Sequence, residues 1–258
     1  MSQSTEPGEN HILGMISSED CARVFALLEP VTLTLGEVLC ESGDRPSYVY
    51  FPVDSIVSLL YLTENGSSAE IAVVGNDGMV GIGSFMGGGS MTCRAVVQSG
   101  GHAFRMSVPL FDGEINQHGE LMRLMLRYSQ VLITQMAQTA VCNRHHTIKQ
   151  QLCRWLLLSL DRLPGNELVM TQELIANMLG VRREGITEAA RKLHELGVIH
   201  YRRGHITVLD RPALEQLSCE CYKVVKKETD RLMPWPDREL EPVRGIRHLT
   251  AARVHQRH

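Results

Sequence analysis

The stretch Thr171–Leu209, TQELIANMLGVRREGITEAARKLHELGVIHYRRGHITVL, decides how the second half of this chain folds. Thr171 is a residue type whose hydroxyl accepts from an otherwise unpaired N–H in the first turn of a helix, and Leu174, Ile175, Met178 and Leu179 then recur on one helical face. Gly180 supplies the left-handed backbone that closes such a helix. A second helix is expected from about Arg182 to Leu196, burying Ile186, Ala189, Ala190, Leu193 and Leu196 and stopping at Gly197. Its opposite face carries Arg183, Glu184, Thr187, Glu188 and Arg191, a stripe of long hydrogen-bonding side chains suited to base edges in a major groove. The β-rich runs Val198–Tyr201 and Ile206–Leu209 follow, joined across Arg202-Arg203-Gly204-His205, a hairpin tip whose two cations suit phosphate contact. Helix, tight turn, helix and a two-stranded wing make a winged helix-turn-helix. Its expected DNA-facing set is Thr171, Gln172, Arg182, Arg183, Glu184, Thr187, Glu188, Arg191, Arg202 and Arg203.

Working outward toward the N-terminus, the chain from about Val31 to Met106 is a series of short β-like runs cut by turn residues, among them Tyr48–Phe51, Ile56–Leu62, Glu70–Val74 and Arg94–Val97. Asn65-Gly66 marks a hairpin, because that pair suits the primed turns that match strand twist. Many short strands with frequent turn signals predict an antiparallel sandwich or roll, so the fold class is α+β with its strands in front and its helices behind.

Thr171, the Ile175–Leu179 apolar face, Gly180, the Arg183-Glu184 pair and the Leu193–Ile199 exit into the wing resemble the DNA-binding domain of the Crp/Fnr superfamily of bacterial transcription regulators. Leu35-Gly36-Glu37 followed by Glu41-Ser42-Gly43-Asp44 resembles the opening of the cyclic-nucleotide-binding β-roll that accompanies it. The resemblance implies that Arg183 and Glu184 contact guanine and cytosine edges. It also implies a second arginine four residues after the glutamate, where this chain has Glu188, so a different operator is expected. The candidate effector loop is Gly78, Gly81, Ile82, Gly83, Met91 and Thr92. Family members that bind nucleotide hold the ribose with a glutamate just after a glycine and the phosphate with a nearby arginine. Here Ile82 takes the glutamate's place and the first arginine is Arg94, past the phosphate position and on the next strand. An apolar side chain pairs no ribose hydroxyl, and a phosphate without a cation forfeits its charge-assisted hydrogen bonds, so a signal other than cyclic AMP is expected.

From about Glu120 to His146 the apolar residues recur at helical spacing. In the family this element is the central coiled coil of a dimer, with Met125, Tyr128, Leu132 and Met136 as the expected seam; the alternative is a helix folded against its own roll. The resulting domain plan is a sensor roll over 12–117, a dimerisation helix over 118–144, the winged helix-turn-helix over 145–213, and a C-terminal helix and basic tail over 214–258. One helix is expected from Arg211 to Leu232, then a break at Pro234-Trp235-Pro236, then a tail with Arg247, Arg253 and Arg257.

Charge follows the same division. Residues 1–142 hold 6 Lys/Arg against 15 Asp/Glu, and residues 143–234 hold 15 against 11, an acidic front and a basic back in a chain of net charge −3. No apolar run reaches the length of a membrane span and the first residues, MSQSTEPGEN, are not signal-like, so a cytoplasmic protein with no membrane partner is expected. The seven cysteines, at 21, 40, 93, 142, 153, 219 and 221, contain no C-x-x-C pair and lack the N-terminal grouping of an iron–sulfur sensor. Cys219 and Cys221 are the only close pair, and two positions apart on one helix they would not face each other; His145-His146 is expected to face solvent. No cofactor and no metal-ligand set is therefore read from the sequence.

An enzyme on a cupin-like roll would need a metal triad on its strands, and His102 is the lone histidine in these runs. The expected function is a sequence-specific DNA-binding regulator, a homodimer on a palindromic operator in double-stranded DNA. RNA polymerase is a further expected partner, and an unidentified small-molecule effector is expected to act through the roll. Two alternatives on the same fold are a protein-interaction adaptor and a redox-responsive regulator.

Overall fold

The computed structural model describes residues 5–235; the tail arginines lie outside the described residues. The first half begins with α1 (His11–Gly14) and α2 (Ser18–Phe25) and continues through β1 (Glu29–Leu33), β2 (Val38–Cys40), β3 (Tyr48–Pro52), β4 (Ile56–Leu62) and β5 (Ser68–Val74). A short α3 (Ile82–Phe85), then β6 (Arg94–Ser99), β7 (Gly101–Ser107) and α4 (Val108–Ile115) complete it. Two antiparallel sheets, ordered β1-β7-β3 and β2-β6-β4-β5, face each other as a roll. At the Asn65-Gly66 hairpin Leu62 pairs with Ser68, and Gly66 takes φ +81°. Leu33, Leu59, Val74, Val80, Met91 and Val97 fill the space between the sheets.

The 26-residue α5 (Glu120–His145) leaves the roll and lies back along it. Its apolar face is spent within the chain: Leu121, Leu124, Met125, Tyr128 and Val131 pack with Ile12, Val49, Phe51 and Phe111, while Leu132 and partly buried Met136 enter the roll core. The Tyr128 hydroxyl donates to the Met79 carbonyl at 3.0 Å. The Gln135 amide exchanges two 3.1 Å hydrogen bonds with the backbone of Val73, capping the otherwise open edge of β5. The expected seam of Met125, Tyr128, Leu132 and Met136 is thereby corrected. An acidic roll this small needs that face of the helix to close its own core.

A capping box between Thr147 and Gln150 starts α6 (Ile148–Leu160), followed by β8 (Glu167–Val169), α7 (Gln172–Leu179), α8 (Arg183–Glu195), β9 (Ile199–Arg202) and β10 (His205–Val208). The wing has three strands, ordered β8-β10-β9, where the sequence suggested two; β8 is too short to carry an alternating pattern. The single helix expected over Arg211–Leu232 is two, α9 (Arg211–Leu217) and α10 (Glu220–Leu232), parted by extended backbone at Ser218 and Cys219. The second of these runs back along α5 and delivers Met233 to the cluster around Ile12 and Leu121.

The two halves share a packed face. Ile56 and Val73 of the roll belong to the same apolar cluster as Trp155, Leu156 and Ile186. Within it the Trp155 indole donates to Glu70 at 3.0 Å, the Ser58 hydroxyl reaches the other Glu70 oxygen at 2.5 Å, and Arg162 pairs with Asp77 at 2.7 Å.

Candidate nucleic-acid interface

The helix-turn-helix is held by local chemistry. The Thr171 hydroxyl accepts from the Leu174 N–H at 3.2 Å, and Gly180 takes φ +64°, a conformation that lets α7 end within one residue and turn into α8. Ile175, Ala176, Met178 and Leu179 face inward, but Leu174, expected in the core, is 38% exposed. On α8, Ile186, Ala189, Ala190 and Leu193 are buried, whereas Leu196 is 60% exposed because it lies at the helix terminus, past the last turn that packs. Gly185 sits at the crossing of α8 over α6: a Cβ there would lie 2.6 Å from the Ile148 side chain. The sequence reading gave Gly185 no role, since a close helix crossing leaves no local signature.

On the outer face of α8, Arg183, Glu184, Thr187, Glu188 and Arg191 are all exposed, so the structure brings the expected reading stripe together. Thr187 donates to Gln172 at 2.7 Å, which joins the start of α7 to the stripe. Two of the cations are lightly held: Arg183 is 3.8 Å from Glu173, and Arg191 meets Glu195 at 2.6 Å, both among exposed groups. Glu188 pairs with Lys192 at 2.8 Å, and that hydrogen bond holds its carboxyl below the usual range. Arg182 is the exposed N-cap of α8. At the wing tip, Arg203 (φ +50°) and Gly204 (φ +84°) form the two-residue turn, the primed type that fits a tight hairpin. Arg202 and Arg203 are exposed there, while His205 is engaged by Glu167 at 2.7 Å.

The candidate effector loop runs through α3. Gly81, with φ +102°, caps α3, whose first residue is Ile82; both Ile82 and buried Met91 contribute to the apolar roll core. Arg94 is on β6 and pairs with Glu41 at 3.1 Å.

The sequence reading missed one constellation. Cys142, His146, Cys219 and Cys221 place their donor atoms within 4.8 Å of one another. His146 is not solvent-facing: its side chain is 14% exposed, 3.6 Å from the Cys221 sulfur. Cys219 and Cys221 converge because Cys219 is the extended N-cap of α10, not a residue within a helix. The Cys142 and Cys219 sulfurs are 3.5 Å apart, and that hydrogen bond lowers the Cys219 thiol below its ordinary range, while burial raises Cys221 above it. A usable signal existed, since Cys142 and His146 are four apart, the spacing that brings side chains together at a helix end.

With this geometry in hand, two family models match the chain: a cyclic nucleotide-binding domain over residues 30–118 and a Crp-like helix-turn-helix domain over residues 150–217. Solved structures share the fold over most of the chain. A putative Crp/Fnr-family regulator from Eubacterium rectale aligns at TM-score 0.62 and 16% identity, over 80% of this chain and 96% of its own. FixK2 from Bradyrhizobium japonicum aligns at TM-score 0.62 and 16% identity, over 74% and 98%. The c-di-GMP-responsive regulator CLP from Xanthomonas campestris aligns at TM-score 0.58 and 16% identity, over 74% and 99%. No curated protein sequence matches. The chain thus carries the two domains of a Crp/Fnr-type transcription regulator, a cyclic nucleotide-binding roll and a Crp-like DNA-binding helix-turn-helix. Among the described residues no helix is long and apolar enough to cross a membrane.

Proposed function

We propose that this protein is a homodimeric regulator that binds a palindromic operator in double-stranded DNA through α8 and the wing, in response to a signal other than cyclic AMP. The observation that supports the DNA reading is the exposed stripe Arg183, Glu184, Thr187, Glu188 and Arg191 beside a basic hairpin tip. Arg183 reads a guanine edge in this proposal, Glu184 accepts from cytosine, and Thr171, Gln172, Arg182, Arg202 and Arg203 position the module on phosphates.

The dimer is a second copy of α5 seated on the face that the roll leaves free. Leu126 is 55% exposed, Ile133 52% and Val141 44%, and Ala137 and Ala140 are exposed between them. Leu126, Ile133 and Ala140 are seven apart, the repeat of a two-stranded coiled coil. A two-fold dimer also answers the limit of one recognition helix, which reads only a few base pairs. RNA polymerase contact belongs to the same proposal.

The signal reading rests on the roll interior, where Ile82, Val80, Met91 and Leu132 offer a nucleotide phosphate no charge and no hydrogen bond from a side chain. Selection of bound sequences from a random duplex pool tests the proposal. The expected product is a palindrome with half-sites about one helical turn apart. A pool with no enriched sequence removes the specific reading and leaves an adaptor.

A further inference from the structure

We propose that Cys142, His146, Cys219 and Cys221 hold one tetrahedral Zn²⁺ ion that staples the DNA-binding half to the end of the long helix. Three sulfurs and one imidazole nitrogen converge from two distant segments, the C-terminal end of α5 with its cap and the capped start of α10, with 72 residues of sequence between His146 and Cys219. The three cysteines are buried, at 0%, 3% and 0% for Cys142, Cys219 and Cys221, and form a cluster of their own.

The spacing selects the kind of group. A tetrahedral ion with Zn–S bonds of about 2.3 Å sets its sulfurs roughly 3.8 Å apart. The Cys142–Cys219 separation is 3.5 Å and the Cys221 sulfur lies 3.6 Å from His146 Nδ1. With all four donors inside 4.8 Å there is room for a single ion and none for an iron–sulfur cluster, whose thiolates bind different irons. A donor set of three thiolates and one imidazole is borderline-soft, the preference of zinc among the common divalent ions.

The surroundings match as well. His146 presents Nδ1 to the sulfurs while its Nε2 lies 3.3 Å from the Glu220 carboxylate, the carboxylate–histidine–metal relay that fixes the ring tautomer. Three thiolates around a divalent ion leave one negative charge. The buried Arg154 guanidinium, which donates at 3.3 Å to the hydroxyl of Thr139 on the same helix as Cys142, supplies the compensating cation. Gln151 donates to the carbonyls of Cys142 and His146, at 3.4 and 2.9 Å, and so holds the helix end that carries two of the ligands. On binding, each thiol gives up its proton to solvent and its sulfur lone pair to zinc; nothing is oxidised or reduced.

The break between α9 and α10, which the helical pattern of the sequence concealed, is what turns Cys219 and Cys221 onto Cys142. Zinc would make that junction rigid just where α5 hands over to the DNA-binding half, independently of what DNA the protein reads.

The test is metal analysis of the untagged full-length protein, purified with reductant and without chelator. About one zinc per chain is expected, with less than about a tenth of that in the Cys219→Ser/Cys221→Ser variant and no loss in Cys21→Ser. Cobalt substitution should give the near-ultraviolet thiolate charge-transfer band and the intense visible bands of a tetrahedral site. A strong chelator should lower the melting temperature of the native chain, and zinc should restore it. These last two measurements use the unaltered ligands, so they decide the matter even if the double variant does not fold. Protein that is metal-free and takes up neither zinc nor cobalt overturns the proposal. So does iron with acid-labile sulfide, or a Cys142–Cys219 disulfide in the reduced preparation.

Discussion

In the proposed DNA complex, Arg183 is the residue on which the reading of sequence turns. It is exposed at the first turn of α8 and only loosely engaged by Glu173, so little is lost when it swings toward a base. Arg183→Ala should weaken operator binding by about 1–3 kcal/mol and binding to random duplex far less, measured by fluorescence anisotropy. Equal losses on both duplexes would make it a phosphate contact. Glu70 is the other residue with a physical signature. Burial between roll and α6 raises its carboxyl from 4.5 to about 7, against the opposing pull of Ser58, Arg154 and Trp155. The folded state therefore holds a proton that the unfolded state releases, and the associated stability is complete below pH 4.5 and lost as pH rises through about 7. Glu70→Gln keeps an acceptor for the Trp155 indole without the charge. It should flatten the fall in melting temperature between pH 5.5 and 8, a gain at the upper end of at most about 3 kcal/mol. A variant with the same pH slope as the native protein would place the titration elsewhere.

At the scale of elements, α5 has two faces with different duties. An aspartate at Ile133 would set two like charges together in the proposed dimer seam, at a cost of several kcal/mol, of order 3 or more, while leaving the roll intact. Analytical ultracentrifugation should find Ile133→Asp monomeric at micromolar concentration and circular dichroism should find it folded. Leu132→Asp, by contrast, strikes the chain's own core and should unfold the roll. A native protein that sediments as a monomer would remove the seam. The wing makes a separate prediction. Replacing Arg202 and Arg203 together with alanine should lower affinity for all duplexes alike and reduce the salt slope by up to about two units. A change confined to the operator would give the hairpin a base-reading role instead.

At the scale of the molecule, the roll and the DNA-binding half share a core face through Ile56, Val73 and Trp155, so a change in the roll has a direct mechanical route to α6 and α7. The apolar roll interior predicts that millimolar cyclic AMP leaves both melting temperature and DNA affinity unchanged, since any ligand of the folded state must raise the former by mass action. A saturable rise in differential scanning fluorimetry would show that the loop after Gly81 accepts a nucleotide after all.

What the sequence determined by itself was local and periodic. The Thr171 cap, the Gly180 turn, the apolar repeat of α8 from Ile186 to Leu193 and the Asn65-Gly66 hairpin each rest on interactions within a few residues, and each stands where its spacing put it. That Arg94 stands on the strand after the loop was legible for the same reason. Only the tertiary structure decided what depends on which surfaces meet. Periodicity showed that α5 has an apolar face, but not that its own roll would consume it and leave Leu126 and Ile133 outside. Nor could spacing reveal Glu70 against Trp155, or Cys142 against Cys219. Partners 85 and 77 residues apart are brought together by chain reversal, which no local preference encodes.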